Sequence, residues 1–187
     1  MKYYGSSTGW LPSLAKDFTR CMRRGMVAAE GTVMELRPMT SEDLQALLTF
    51  YSALPASVTE RFEPFGRRVT EPILQRFLID TDKGMHLSYG LFDLAGSILG
   101  HAFIWNIDSE LPVFGIGIAG GMQGQGWGRR MAGRVLEEAD ARGVKKVALT
   151  VVKTNARAWT LYESLGFRRT GEATFRSEND SFQMERT

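Results

Sequence analysis

The chain has 187 residues, 43% of them hydrophobic and 24% charged, a balance that suits one globular domain and excludes wholesale disorder or a fibrous architecture. Its 23 basic and 21 acidic residues leave a net charge of +2, which argues against the strong basic excess of a nucleic-acid binder. A single cysteine, Cys21, excludes an intrachain disulfide, and with only His86 and His101 beside it no Cys/His zinc site can be assembled.

In chain order, residues 1–30 carry no sustained alternation and no signal-peptide apolar region. They are expected to form a tail or arm, with Leu11, Leu14, Phe18 and Met22 at helical spacing and Ser13 placed to cap them. The folded domain, 31–187, is expected to begin near Thr32 with a strand at Val33–Arg37. Thr40 to Asp43 then opens a helix whose apolar face is Leu44, Leu47, Leu48 and Tyr51. A turn-rich aromatic stretch from Pro55 to Val69 leads to a helix over Glu71–Asp80, with Pro72 in its first turn. Three strands are predicted next, at His86–Phe92, Ser97–Trp105 and Leu111–Ala119, the first two joined by a hairpin turn at Asp93–Gly96. A glycine-rich turn precedes a helix over Trp127–Arg142, a strand at Lys146–Val152 and a helix over Ala156–Leu165 capped by Asn155. Phe167–Phe175 and Ser181–Glu185 close the chain as an antiparallel pair. No window reaches the roughly 18 apolar residues of a membrane span, so a cytoplasmic location without membrane contact is expected.

Two constellations carry chemistry. Gln123-Gly124-Gln125-Gly126-Trp127-Gly128 lies between a strand and a helix, with Arg129 and Arg130 just inside the helix. Unpaired N–H groups at a helix start, at the positive end of its dipole, hold phosphates, and glycines let a diphosphate approach that backbone. No Gly-Lys-Ser/Thr follows, which excludes a Walker loop, and no βαβ unit supports a Rossmann site. The second constellation runs from Asn155 to Phe167. Asn155, Ala158, Tyr162 and Leu165 share a helix face, where Ala158 permits close approach and Tyr162 presents a phenol. A phenol with a pKa near ~10 can protonate a departing thiolate; a core tyrosine with a satisfied hydroxyl is the alternative.

Together the two motifs resemble the GCN5-related N-acetyltransferase (GNAT) superfamily, over about Val33 to Glu185. The turn resembles the family's pyrophosphate-binding signature, and Asn155–Phe167 its helix-to-strand motif. The resemblance implies an α/β (α+β) fold: a mixed, mostly antiparallel sheet of six to seven strands flanked by about four helices, with a splayed strand pair. It implies transfer of an acetyl group from acetyl-CoA, as co-substrate and without a metal, to an amine of a small molecule or peptide; an acetyl-CoA-binding sensor with little turnover is the alternative. Carried over by position, the backbone at Ile118 and Ala119 would meet pantetheine. The backbone N–H groups of Gly124, Gly126 and Gly128 would hold the diphosphate with Gln123 closing the loop, Gln125, Trp127 and Arg129 would complete the coenzyme site, Asn155 and Ala158 would meet the pantetheine arm, and Tyr162 would be the acid. Many members carry a glutamate base where this chain has Val113, leaving Glu110, His101 or water. Arg61, Phe62 and Trp105, with Phe65 and Tyr51, are the expected acceptor wall, and a homodimer through the sheet edge or the C-terminal strands is expected by analogy.

Overall fold

A computed structural model describes residues 26–29, 32–178 and 180–187. The strands are β1 (Met26–Ala29), β2 (Thr32–Pro38), β3 (Leu87–Phe92), β4 (Ile98–Trp105), β5 (Val113–Ile118), β6 (Val147–Val152), β7 (Arg168–Ala173) and β8 (Ser181–Arg186). The helices are α1 (Leu44–Ser52), α2 (Ala56–Thr59), α3 (Glu71–Asp82), α4 (Trp127–Ala141) and α5 (Ala156–Ser164). The strands form one sheet in the order β1-β2-β3-β4-β5-β6-β8-β7, antiparallel throughout except between β5 and β6. This is the expected mixed sheet, one strand wider than the six to seven counted from sequence.

The added strand is β1. Its four residues lie inside the stretch expected as a tail, and they pair with β2 from Met26↔Glu35 to Ala29↔Thr32. No alternation marks them, because the free edge of β2 supplies the pairing partner. The helix expected around Leu11 to Met22 lies outside the described residues. Among the described residues, no helix is long and apolar enough to cross a membrane.

Both faces of the sheet are covered, so its middle strands are buried on both sides. Every residue of β3 is buried. On one face, Leu47 and Phe50 of α1 and Leu74, Phe77 and Leu78 of α3 pack on Ile98 and Phe103. On the other, Met131, Val135 and Leu136 of α4 pack on Leu91, Ala102, Ile104 and Phe114. Each such Leu or Phe contributes about 1.5–3 kcal/mol on leaving water.

The opening of α1 follows from an ion pair. Arg37 donates two bonds to Asp43, at 2.9 and 2.7 Å, and the Thr40 N–H donates to the same carboxylate at 2.9 Å. The sequence reads one helix from Thr40; the structure begins with a 3-10 turn at Ser41–Asp43 and passes into α1. The hairpin after β3 forms as expected, with Asp93 Oδ1 accepting from the N–H groups of Ala95 and Ser97 at 2.9 and 2.8 Å.

Candidate active site

The site begins where two strands part. β5 and β6 share one registered pair, Val113↔Ala148, supported by the Ala148 N–H donating to Pro112 O at 2.8 Å. Beyond it they diverge, and a cavity of about 530 Å³ opens between them. From β5 it is lined by Phe114 to Ile118, and from β6 by Leu149, Thr150 and Val151. Backbone groups on the diverging edges have lost their ladder partners, so a ligand carrying amides can satisfy them.

The glycine turn closes one end. A 3-10 turn at Gly120–Met122 leads into it, and Gly124 and Gly126 hold left-handed φ values of +89° and +82°. Gly126 is the N-cap of α4, and its carbonyl accepts from the Arg130 N–H at 3.2 Å. The N–H groups of Trp127, Gly128 and Arg129, one turn earlier, have no intrahelical acceptor. Gln123 Nε2 donates back to Ile118 O at 3.4 Å and ties the turn to the end of β5. A Cβ on Gly128 would stand 3.2 Å from Leu161 and 3.5 Å from Ile118, so glycine there lets α4 and α5 meet closely. Gln123, Gly124, Gly126, Gly128 and Arg129 all line the cavity.

From α5 come Asn155, Ala158, Leu161 and Tyr162. Asn155 caps the helix as expected, Oδ1 accepting from the Ala158 N–H at 3.3 Å. The Tyr162 ring is wedged edge-on against Phe114, with centroids 5.9 Å apart, and beside Phe167 at 6.0 Å. Its burial raises the phenol well above its ordinary value, which keeps it protonated.

The far wall is Ser57, Val58, Arg61 and Phe62. The Phe62 ring lies over Gly117, where a Cβ would meet it at 2.6 Å. The other aromatic candidates pack elsewhere. Tyr51 and Phe65 are buried, and Trp105 lies among Phe65, Phe77 and Phe103. Trp105 therefore does not line the cavity, because the aromatic core of that face claims its ring.

Five more candidates lie off the lining. The Trp127 side chain is fully buried and anchors α4. Gln125 turns back to donate to Gly121 O at 3.0 Å. The Ala119 N–H is already given to Leu99 O at 2.9 Å, so it continues the β4 ladder. Glu110 is exposed on the β4–β5 connection, at the end where β5 and β6 are still joined. His101 is fully buried, bonded at Nδ1 to Tyr51 and at Nε2 to Ser88, each at 2.8 Å, and burial lowers its pKa to about 3. It is a neutral core histidine that does not reach the cavity. Val113 is 46% exposed on the same sheet face as its partner Trp105.

Arg157, Met122 and Thr150 line the cavity without having been singled out from sequence. Arg157 reaches within 3.3 Å of where a Gly124 Cβ would stand. Only the folding of α5 against the glycine turn joins these two positions, and no spacing signals it.

The family model described as Acetyltransferase (GNAT) family matches residues 49–167. The chain is 37% identical over 81 residues, 43% of its length and 53% of the relative's, to the ribosomal protein bS18-alanine N-acetyltransferase of Escherichia coli K12. It is 46% identical over 55 residues, 29% of its length and 18% of the relative's, to the mycothiol acetyltransferase of Beutenbergia cavernae. The chain thus spans about half the length of the first relative and under a fifth of the second. Among solved structures, an acetyltransferase of the GNAT family from Streptococcus pneumoniae superposes with a TM-score of 0.70 at 22% identity, over 82% of this chain and 98% of that one. The spermidine N-acetyltransferase of Vibrio cholerae, in complex with CoA and spermine, gives 0.64 at 20%, over 81% and 94%. At these identities the likeness to solved structures is one of fold.

Proposed function

The chain belongs to the acetyltransferase (GNAT) family, and on that premise we propose that it transfers acetyl from acetyl-CoA to a primary amine of a small molecule or peptide. The observation that carries this reading is one cavity holding both the free N–H groups at the start of α4 and the Tyr162 phenol. Left-handed Gly124 and Gly126 fit a diphosphate, since they turn the backbone toward an anion without a side chain in its path. Arg129 and Arg157 add positive charge at the same end. The open edge of β5 at Ile118 and the Asn155 side chain suit the amide-bearing arm of the co-substrate.

The reaction is direct. The neutral amine attacks the thioester carbonyl, the carbon–sulfur bond breaks, and Tyr162 delivers its proton to the departing sulfur. Water takes the proton lost by the nitrogen, and solvent restores the phenol. Among the described residues, the ionisable side chains lining the cavity are Arg61, Arg129, Arg157 and Tyr162, which supports water as the base, consistent with Val113 in the usual glutamate position. Arg61 on the far wall favours an acceptor that carries a carboxylate near its amine over a polycation. The curated relatives include an enzyme named for a protein N-terminal alanine, and the structural neighbours include one named for spermidine.

The test is acetyl-CoA consumption with a free-amine peptide, spermidine and an aminoglycoside. Turnover on at least one is expected. Tight coenzyme A binding with no turnover on any would favour the sensor, the reading that Val113 supports.

A further inference from the structure

We propose that Arg176 is a positioning residue that latches the acceptor wall, the segment carrying Arg61 and Phe62. Phe62 packs on the aromatic core, but the α2 part of the wall is weakly held by its own packing. α2 has four residues, none of them buried, and one turn of helix does not persist unaided. The carbonyls at its C-terminal end need partners from outside the helix. Arg176, more than a hundred positions later, supplies them. Its Nε donates to Glu60 O at 3.2 Å, and its Nη2 donates to Thr59 O at 3.2 Å and to Glu63 Oε1 at 2.7 Å. One planar guanidinium thus grips both ends of the segment that presents Arg61 and Phe62.

The latch is itself anchored. Asp180 accepts from the N–H groups of Phe175 and Arg176 at 2.8 Å each and of Ser177 at 3.0 Å, and from Ser181 Oγ at 2.9 Å. The Asp180 carbonyl accepts from the Lys153 N–H at 2.9 Å, two residues before the Asn155 cap. A continuous path therefore runs from the coenzyme-side helix through Lys153, Asp180 and Arg176 to α2 and the Phe62 ring over Gly117. It sets the width of the gap in which an amine must meet the thioester. A small misplacement there costs rate out of proportion to stability.

The kinetic part of this inference rests on the acetyl-transfer reading; the structural part does not. The experiment compares wild type, Arg176→Ala and Arg176→Lys by amide hydrogen exchange, coenzyme A calorimetry and kinetics on a peptide with a free N-terminal alanine and on spermidine. In Arg176→Ala, exchange over residues 57–62 should rise about tenfold while residues 123–128 keep their protection and coenzyme A affinity stays within about twofold. The KM for whichever probe wild type acetylates should rise about tenfold, with the KM for acetyl-CoA unchanged. Arg176→Lys should recover only part of this, since a compact ammonium lacks the fixed fork by which Nε and Nη2 reach the Glu60 and Thr59 carbonyls and Glu63 together. Unchanged exchange over 57–62, an unchanged acceptor KM, or equal loss at the glycine turn would each overturn the latch. If wild type acetylates neither probe, the transfer reading fails for these acceptors and the exchange comparison decides the latch alone.

Discussion

Tyr162 combines two properties that a proton donor to sulfur requires: it borders the cavity, and its burial keeps the phenol protonated well past its ordinary titration range. Tyr162→Phe is expected to lower kcat about 100-fold while coenzyme A affinity changes less than about threefold. In wild type, kcat should show no falling limb between about pH 7 and 9.5, because a raised phenol pKa leaves the acid intact there. Steady-state kinetics with calorimetry checks both, and equal turnover in the variant would remove Tyr162 as the acid. His101 gives the opposite case. Its folded pKa of about 3 lies below the unfolded value near ~6.5, so the unfolded chain binds more protons in between. Its stabilising contribution is complete above pH ~6.5 and is lost as pH falls toward 3. The partly buried His86 is shifted in the same direction. Urea unfolding from pH 7 to 4.5 should show stability falling with pH, and ring nitrogen shifts should show His101 neutral at pH 5. A His101 ring titrating near pH 6 would contradict the buried assignment.

At the scale of elements, the turn into α4 depends on backbone conformation rather than on side chains. Gly126 has open space where a Cβ would go, yet its φ of +82° is one that L residues with a branched Cβ avoid. Gly126→Val should therefore weaken coenzyme A by about 10-fold or more, through about 1–3 kcal/mol of backbone strain or a rearranged turn. Calorimetry reads this directly, and unchanged affinity would move the diphosphate elsewhere. The capping of α5 by Asn155 was legible in the sequence, because a cap, a helical period and a glycine stop are local. The 3-10 start before α1 was not, because it follows from Arg37 reaching Asp43 from the preceding strand.

Across the whole molecule, the sheet is two antiparallel blocks joined by one parallel pair, Val113↔Ala148. A ligand bound in the cleft touches both blocks and should stabilise them together. At about 100 times its dissociation constant, coenzyme A should contribute about 2.7 kcal/mol and raise Tm by roughly 5–10 °C. Exchange protection should concentrate in the C-terminal half of β5, the glycine turn and β6. A Tm rise with protection confined to α1 and α3 would mean that the ligand sits elsewhere.

Apart from β1 and the single turn of α2, the sequence by itself determined the order of elements, the glycine turn and the capped helix bearing Tyr162, since each is written in neighbouring residues through period, cap and turn chemistry. Tertiary structure decided which candidates face one cavity. It sent Trp105 and His101 into an aromatic core, gave the Ala119 N–H to β4 and left Glu110 at the joined end of the strands. It also brought Arg157 to Gly124 and Arg176 to α2. Such placements arise from contacts between residues far apart in the chain, where packing and the competition for hydrogen-bond partners, rather than local propensity, set the outcome.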